Sequence, residues 1–369
     1  MIPYLLLILI PFLFQFIAIE KRKTYKLYIG HTSRVKDNNI ALDMFFIILI
    51  IMLILRNESV GRDLKNYKYL FEKFSELSFK TIIEGENESI YALFNWFIGK
   101  VSNSYQFFVG IIAVITVVPI ALLYREEKKY SYVKIILFVN LSTFVMLFSG
   151  IRQAWAISLG IVAYRMVRKH ELWRYLLVCI IAIGIHRSAF MLLFMYPLYY
   201  VRFYKKHIPL IGLIVGTVFV FNQRIFAFLG KLLTTFTDYE VIITNTNAYG
   251  TLILFCLFLI MSYVITDENK LDRDTIGLRN FLLLAIIIQC FVPLHTLAMR
   301  MGYYYIIFIP ITITKVLECK KQQYSQIAKI IEIVICVFFT FVFVRTTYLS
   351  YVTGVSALDT VPYIPFWVD

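Results

Sequence analysis

The chain has 369 residues, of which 60% are hydrophobic, 17% aromatic and only 16% charged. So few charges cannot cover the surface of a water-soluble domain, so the composition excludes a soluble globular protein and predicts an integral membrane protein. A net charge of +14 would favour nucleic-acid binding in a soluble protein, but here orientation in the membrane explains it and no nucleic-acid partner is predicted.

The apolar residues form long unbroken runs instead of the alternation of an outer-membrane barrel. They predict an all-α fold, a polytopic membrane helical bundle in a single integral domain, 1–369. Because a span needs about 20 mainly apolar residues, the sequence predicts about twelve of them. They are 2–19, 38–55, 101–124, 133–151, 153–169, 172–186, 187–203, 207–223, 243–266, 279–299, 300–315 and 329–349.

The loops between these spans differ in charge. With the N-terminus outside, one set of loops carries the whole net charge of +14: 20–37, 125–134, 165–174, 202–207, 266–280 and 315–329. The positive-inside rule makes that set cytoplasmic. The external side then holds a large loop, 56–100, a second loop, 224–247, and the C-terminal tail, 350–369.

The first external loop contains two amphipathic stretches with apolar residues at helical spacing. They are Leu64, Tyr67, Phe71 and Phe74, and then Ile90, Leu93, Phe94 and Phe97. We predict that both helices lie in the headgroup plane with the apolar face toward lipid.

Two acidic residues of the same loop have two interpretations each. Asp63 precedes the first amphipathic stretch, so it is either a helix N-cap or a carboxylate that accepts a hydroxyl proton or orients a sugar. Glu88, shortly before Tyr91, has the same two interpretations.

Three arginines immediately precede uncharged runs that are too short to cross a membrane alone: Arg152, Arg187 and Arg300. An arginine within the membrane costs roughly 2.5–3.5 kcal/mol on insertion scales, so it normally faces a wet cavity or a partner. Snorkelling to lipid phosphates is one explanation. Because a guanidinium binds phosphate oxygens through a rigid fork, an external site for an anionic group is the other, with Arg345 as a further contact.

Other candidate residues surround these arginines. His186, beside Arg187, is either a packing histidine or a proton acceptor, and His295 is a weaker candidate. Trp155, Tyr303 and Tyr304 are candidates to stack on sugar faces. No Walker loop, dinucleotide loop, zinc motif or pair of neighbouring carboxylates is present, so neither a metal nor a cofactor is predicted.

Several short blocks, in this order, resemble the EpsG family of polysaccharide polymerases, a branch of the Wzy-type group. They are Arg56, Val60-Gly61-Arg62-Asp63, Tyr67, Glu88-Ser89-Ile90-Tyr91, Ile151-Arg152-Gln153, His186-Arg187-Ser188-Ala189, Arg300 and Val361-Pro362-Tyr363. Arg62 departs from the family, which usually has a small or hydroxyl residue before the aspartate.

The resemblance implies a glycosyltransferase of the bacterial cytoplasmic (inner) membrane with a GT-C-like architecture and an active site facing the periplasm or exterior. Similar proteins transfer a growing chain from an undecaprenyl-diphosphate-linked oligosaccharide donor to a lipid-linked acceptor, making O-antigen, capsule or exopolysaccharide. They use no nucleotide sugar, and a separate chain-length regulator is implied as a partner, beside membrane lipids.

From the chemistry of these residues together with the resemblance, we predict that Arg152, Arg187 and Arg300 bind the diphosphate, with Arg56 and Arg345 as secondary contacts. His186 or Asp63 accepts the proton of the acceptor hydroxyl. The residues predicted to contact sugar are Glu88, Tyr91, Trp155, Tyr303 and Tyr304.

Two classes of protein compete with this interpretation. A flippase or transporter of lipid-linked oligosaccharides also has many spans, but carriers typically show internal repeats and charges near the bilayer midplane. Neither is evident here. An O-antigen ligase would use nearly the same donor site, and an acyltransferase would need its histidine accessible from the cytoplasm, whereas His186 is predicted outside.

Overall fold

A computed structural model of the protein describes residues 1–29, 39–84, 89–234, 249–269 and 271–368. Helix accounts for 81% of the structure, and no β-strand occurs in these ranges. The all-α prediction is therefore confirmed. Apolar helices recur along the chain, in agreement with a membrane helical bundle.

The α-helices are, in chain order, α1 Ile2–Ile29, α2 Ile40–Leu55, α3 Leu64–Glu76, α4 Phe79–Glu84, α5 Ser89–Val101, α6 Tyr105–Glu126, α7 Ser131–Asn140, α8 Ser142–Ser149, α9 Ile151–Arg168, α10 Leu172–Ile185, α11 Met195–Tyr200, α12 Ile208–Val220, α13 Asn222–Thr234, α14 Tyr249–Val264, α15 Arg273–Gln289, α16 Thr296–Ile306, α17 Ile309–Glu318 and α18 Ser325–Thr353. Short 3-10 helices cover Arg187–Phe194, Lys205–His207, Gln322–Tyr324 and Ala357–Asp359.

Few of these helices are long enough to cross a membrane unbroken. Among the described residues, Tyr105–Glu126 and Gln322–Thr353 meet that requirement. Three bent pairs raise the number to five if each pair forms one span: α7 with α8, bent by 64°, Lys205–Val220 with Asn222–Leu229, bent by 74°, and α16 with α17, bent by 42°. The number of about twelve spans therefore stays a prediction.

Several predicted spans are interrupted in the structure, and 207–223 and 279–299 are among them, since α12 ends at Val220 and α15 ends at Gln289. The segment 133–151 breaks at Leu141, whose backbone is extended between α7 and α8. The segment 300–315 breaks before α17, where Pro310 occupies the first turn, a position that suits proline because its missing N–H has no helical partner there. The segment 187–203 is a 3-10 helix followed directly by the six-residue α11, so it is helical without being one regular α-helix, and a span over it stays a prediction.

The chain divides into two compact units. The first comprises residues 1–166, 173–190 and 330–369, and the second comprises 167–172 and 191–329. In the second unit, α15 is central and packs against α11, α14, α16 and α17. The description of the chain as a single integral domain stays a prediction.

The two amphipathic stretches of the loop 56–100 are helices, α3 and α5, and much of their apolar surface packs against protein. Leu64, Tyr67 and Phe71 of α3 form one core with Tyr91 of α5 and Phe108 of α6. The buried residues of α3 therefore face protein, because the two helices pack against each other and against α6, whereas Phe97 of α5 is 60% exposed. The interfacial position of the two helices stays a prediction. The external position of this loop stays a prediction.

The other two predicted external segments are described only in part. The helix α13 occupies the beginning of loop 224–247, and residues 235–248 lie outside the described ranges. In the tail, α18 continues to Thr353 and is followed by Gly354 at a φ of 70°. Glycine tolerates this left-handed conformation, and the tail that follows it contacts the segment around Arg56.

Candidate active site

The centre of the candidate site is Arg152, in the first turn of α9. Its guanidinium carbon lies 5.4 Å from the ring centre of Tyr67 and 5.4 Å from that of Tyr91. The two rings are edge-to-face, with centres 6.1 Å apart. Arg152 is half-buried, and the first turn of a helix presents backbone N–H groups without helical partners. A cation, two aromatic rings and a helix N-terminus therefore meet here, a setting that favours an anion.

Helical periodicity explains how the two rings reach Arg152. Tyr67 lies three residues after Leu64 on the buried face of α3, and Tyr91 is in the first turns of α5. The two helices approach closely at Gly99, where an added Cβ would lie 2.2 Å from Ser75 Oγ. A larger residue at Gly99 would separate α3 from α5 and move the two tyrosines apart.

Asp63 is held by Ser149, the last residue of α8. The Ser149 hydroxyl donates a hydrogen bond of 3.1 Å to Asp63 Oδ2, and the Asp63 backbone N–H donates one of 3.3 Å to Ser149 Oγ. Asp63 occupies the N-cap position of α3, yet its side chain makes no capping hydrogen bond. Its carboxylate is therefore directed to the turn between α8 and α9, three residues before Arg152.

Arg56 has different surroundings from Arg152. It is 3% exposed, and its Nη1 donates a hydrogen bond of 2.9 Å to the Leu147 carbonyl. Among the described residues it has no acidic partner, and burial lowers its pKa to about 10. Arg56 contacts the Phe148 ring at 5.7 Å. This side chain is inaccessible to a diphosphate in this structure, which favours a structural role over the predicted secondary contact.

The C-terminal tail packs against the segment around Arg56, the first of the sequence blocks described above. Asn57 N donates to the Ile364 carbonyl at 2.8 Å, and Phe366 N donates to the Leu55 carbonyl at 2.8 Å. The Tyr363 hydroxyl donates to the Met52 carbonyl at 2.9 Å. Blocks from the two ends of the chain therefore meet in the first unit.

Gly61 shows why the block after Arg56 needs a glycine. Its φ is 124°, and an added Cβ would lie 2.0 Å from the Phe148 carbonyl oxygen. Only glycine satisfies both constraints. Its N–H donates to the Asp359 carbonyl at 2.9 Å, so this residue also joins the block to the tail.

His186 lies between α10 and the 3-10 helix that follows it, and Arg187 is the first residue of that 3-10 helix. His186 is half-buried and Arg187 is exposed. Two residues earlier, Gly184 packs against α5, where an added Cβ would lie 2.5 Å from Ile90 Cδ1. The end of α10 therefore contacts the helix that carries Tyr91.

The remaining candidates of the first unit have mixed surroundings. The Trp155 ring packs on Phe94, with centres 4.6 Å apart, so it belongs to the edge of the core. Arg345 is exposed on α18. Glu88 lies outside the described residues.

The second unit holds the candidates of α16. Arg300 is exposed, whereas Tyr303 and Tyr304 are each 1% exposed. Both rings are buried in this structure, and sugar stacking by Tyr303 and Tyr304 stays a prediction. His295 is the N-cap of α16, and its Nδ1 accepts a hydrogen bond of 2.9 Å from the Leu297 N–H. This contact supports a capping role for His295.

Sequence reasoning missed one residue of the site, Ser149. It lies 86 residues from Asp63 in the chain, and no local pattern marks a serine at a helix end as the partner of a distant carboxylate. Likewise, the ring contacts of Arg152 depend on the packing of α3 on α5.

Comparison with known proteins identifies the family. A sequence model of the EpsG family matches residues 39–364, which is most of the chain. No match to the chain was found among curated proteins or among solved structures. The chain belongs to the EpsG family, which is a Wzy-like family of polysaccharide polymerases.

Proposed function

We propose that this protein polymerises polyprenyl-diphosphate-linked oligosaccharide units into a surface polysaccharide at the external face of the bacterial inner membrane. Membership of the EpsG family supports the polymerase role. The observation that carries the proposed mechanism is the Arg152 guanidinium, set over Tyr67 and Tyr91 beside Asp63. We name these four residues, together with Ser149, the Arg152 cluster.

Arg152 acts on the leaving group in this proposal. Glycosyl transfer breaks the bond between the anomeric carbon and the lipid diphosphate, and negative charge develops on the departing oxygen. A fixed guanidinium stabilises that charge best where water is partly excluded, and the two tyrosine rings provide such surroundings. The N–H groups of the first turn of α9 act in the same direction.

Asp63 accepts the proton of the acceptor hydroxyl as its oxygen forms the new bond to the anomeric carbon. The hydrogen bond from Ser149 fixes the orientation of its carboxylate, which is the requirement for a general base. His186 is the alternative proton acceptor. Arg187, Arg300 and Arg345 are exposed and are proposed as further contacts to the lipid diphosphates of donor and acceptor.

The test is polymer formation by arginine variants. Arg152→Ala is expected to lower the rate of polymerisation by about 10²–10³-fold, as loss of one transition-state donor does elsewhere, and Arg152→Lys by less. The assays are the polysaccharide ladder of a complemented deletion strain and turnover of purified lipid-linked substrate in detergent. Arg202→Lys is the matched control, since Arg202 also contacts a tyrosine ring, at 5.7 Å from Tyr204, but lies in the other unit.

Three results would contradict the proposal. Normal ladders from both Arg152 variants would exclude the diphosphate role. Asp63→Asn with unchanged turnover would leave His186 as the proton acceptor. Wild-type protein that makes no polymer in detergent would favour a transporter.

A further inference from the structure

Beside the Arg152 cluster, the first unit contains a polar cavity of about 660 Å³. Small-molecule sites typically have about 300–1,000 Å³. Its walls are the segment after Arg56, one face of α3, the beginning of α6 and Phe366 of the tail. None of the residues predicted from sequence lines it.

The cavity and the Arg152 cluster use different faces of α3. Lys65, Lys68 and Glu72 line the cavity, whereas Leu64, Tyr67 and Phe71 face the core. The two sets are displaced by one residue, which is a rotation of about 100° around the helix. The cavity therefore lies on the side of α3 next to the face that carries Tyr67, and α3 contributes residues to both the cavity and the Arg152 cluster.

The walls of the cavity are held by hydrogen bonds. Asn57 Nδ2 donates to the Val368 carbonyl at 3.0 Å, and the Tyr105 hydroxyl donates to the Leu64 carbonyl at 3.0 Å. Gln106 donates to the Ile54 carbonyl. Lys68 and Glu58 form an ion pair of 2.7 Å, and this hydrogen bond raises the pKa of Lys68. The walls are therefore largely organised before any ligand binds.

Other lining groups have unused hydrogen-bonding capacity. Lys65, Glu72 and Asn103 make no hydrogen bond or ion pair to the described part of the chain. They supply an ammonium, a carboxylate and an amide, which together can donate and accept hydrogen bonds. Phe366 and Tyr105 add aromatic surface. Hydroxyl groups and the apolar faces of sugar rings are complementary to this combination.

The charge of the lining argues against an anionic ligand. Lys65 and Lys68 are balanced by Glu58 and Glu72, and no arginine lines the cavity. A diphosphate would meet two carboxylates, so it belongs at the Arg152 cluster and not here.

We propose that this cavity is a binding subsite for neutral or zwitterionic sugar residues of the oligosaccharide, separate from the diphosphate site. The inference rests on the proposed function. In this subsite, one face of α3 positions the sugars, while Tyr67 on the adjacent face of the same helix contacts Arg152. Lys65, Glu72 and Asn103 are specificity residues for the sugars and take no part in bond breaking.

The experiment uses two variants that leave the fold intact, Asn103→Ala and Glu72→Gln, both at exposed positions. Their matched controls are Asn66→Ala and Glu76→Gln, which are exposed on α3 but do not line the cavity. The full chain in detergent is titrated with lipid-free oligosaccharide released by mild acid from the surface polysaccharide of the producing strain. KM and kcat are then measured with lipid-linked substrate.

The double variant at 72 and 103 is expected to weaken oligosaccharide binding by about tenfold or more and to raise KM with little change in kcat. The double control is expected to match wild type. Equal affinity and KM in the cavity and control variants of an active polymerase would overturn the subsite. Oligosaccharide binding that depends on the cavity in a protein that makes no polymer would uphold the subsite and overturn the polymerase.

Discussion

Arg56 and Arg152 both belong to the first unit and both contact aromatic rings, but they differ in access. Arg56 is 3% exposed and donates to a backbone carbonyl under the docked tail. Arg152 is half-buried against two tyrosine rings, and Asp63 is held by Ser149, three residues before Arg152 in the chain. The segment around Arg56 therefore joins the two ends of the chain, whereas the Arg152 cluster leaves a charge within reach of a ligand. The following predictions test this division, with the largest effect first.

Gly61→Ala is expected to destabilise the protein most, by about 3 kcal/mol or more, because the backbone strain and the contact with the Phe148 carbonyl act together. Thermal unfolding in detergent measures it. Gly216→Ala in α12 is the control, since nothing lies within 4 Å of an added Cβ there and alanine is the better helix former. An unchanged midpoint for Gly61→Ala would mean that the docked tail does not constrain this turn.

Arg56→Lys is expected to lower the free energy of unfolding by about 1–3 kcal/mol relative to wild type. Arg56→Met is expected to lower it less. The reason is that a lysine ammonium is more strongly hydrated than a guanidinium, and no acidic group is present among the described residues to compensate its burial. For polymerisation activity at position 152 the opposite order is expected: Arg152→Lys should retain more activity than Arg152→Met, since polymerisation needs the positive charge. If Arg56→Lys were as stable as wild type but inactive, Arg56 would belong to the substrate site.

Tyr363→Phe is expected to cost about 1 kcal/mol, because it removes the hydrogen bond to the Met52 carbonyl and keeps the ring. Tyr348→Phe is the matched control, as Tyr348 is 53% exposed on α18. Chemical denaturation in detergent resolves the difference. A loss of polymer without a loss of stability would place Tyr363 in the chemistry.

Arg62→Gln is expected to have the smallest effect, below about 1 kcal/mol, because its ion pair with Asp359 is exposed on both sides. The difference from wild type should disappear in high salt. Since Arg62 is not part of the Arg152 cluster, normal polymer ladders are expected. A loss as large as that of Arg152→Ala would move Arg62 into the substrate site.

The sequence alone determined the class of the protein. Its composition indicated a membrane protein, its apolar periodicity predicted α3 and α5, and its ordered blocks indicated the EpsG family. These properties are local or additive, so they can be read without knowing which segments meet. The interruption of 187–203 by a 3-10 helix was not visible, because a continuous apolar run is compatible with several backbone forms.

Only the tertiary structure decided which side chains of the blocks contact each other. Periodicity identified the apolar face of α3 but not what covers it, and α5 and α6 cover it in place of lipid. Tyr303 and Tyr304 occur in an aromatic run of the kind found at sugar sites, yet they are buried in the second unit. Asn57 and Val368 lie 311 residues apart in the chain, and Asp63 and Ser149 lie 86 apart. Such contacts depend on how the whole chain packs, and a local pattern carries no information about a partner at that distance.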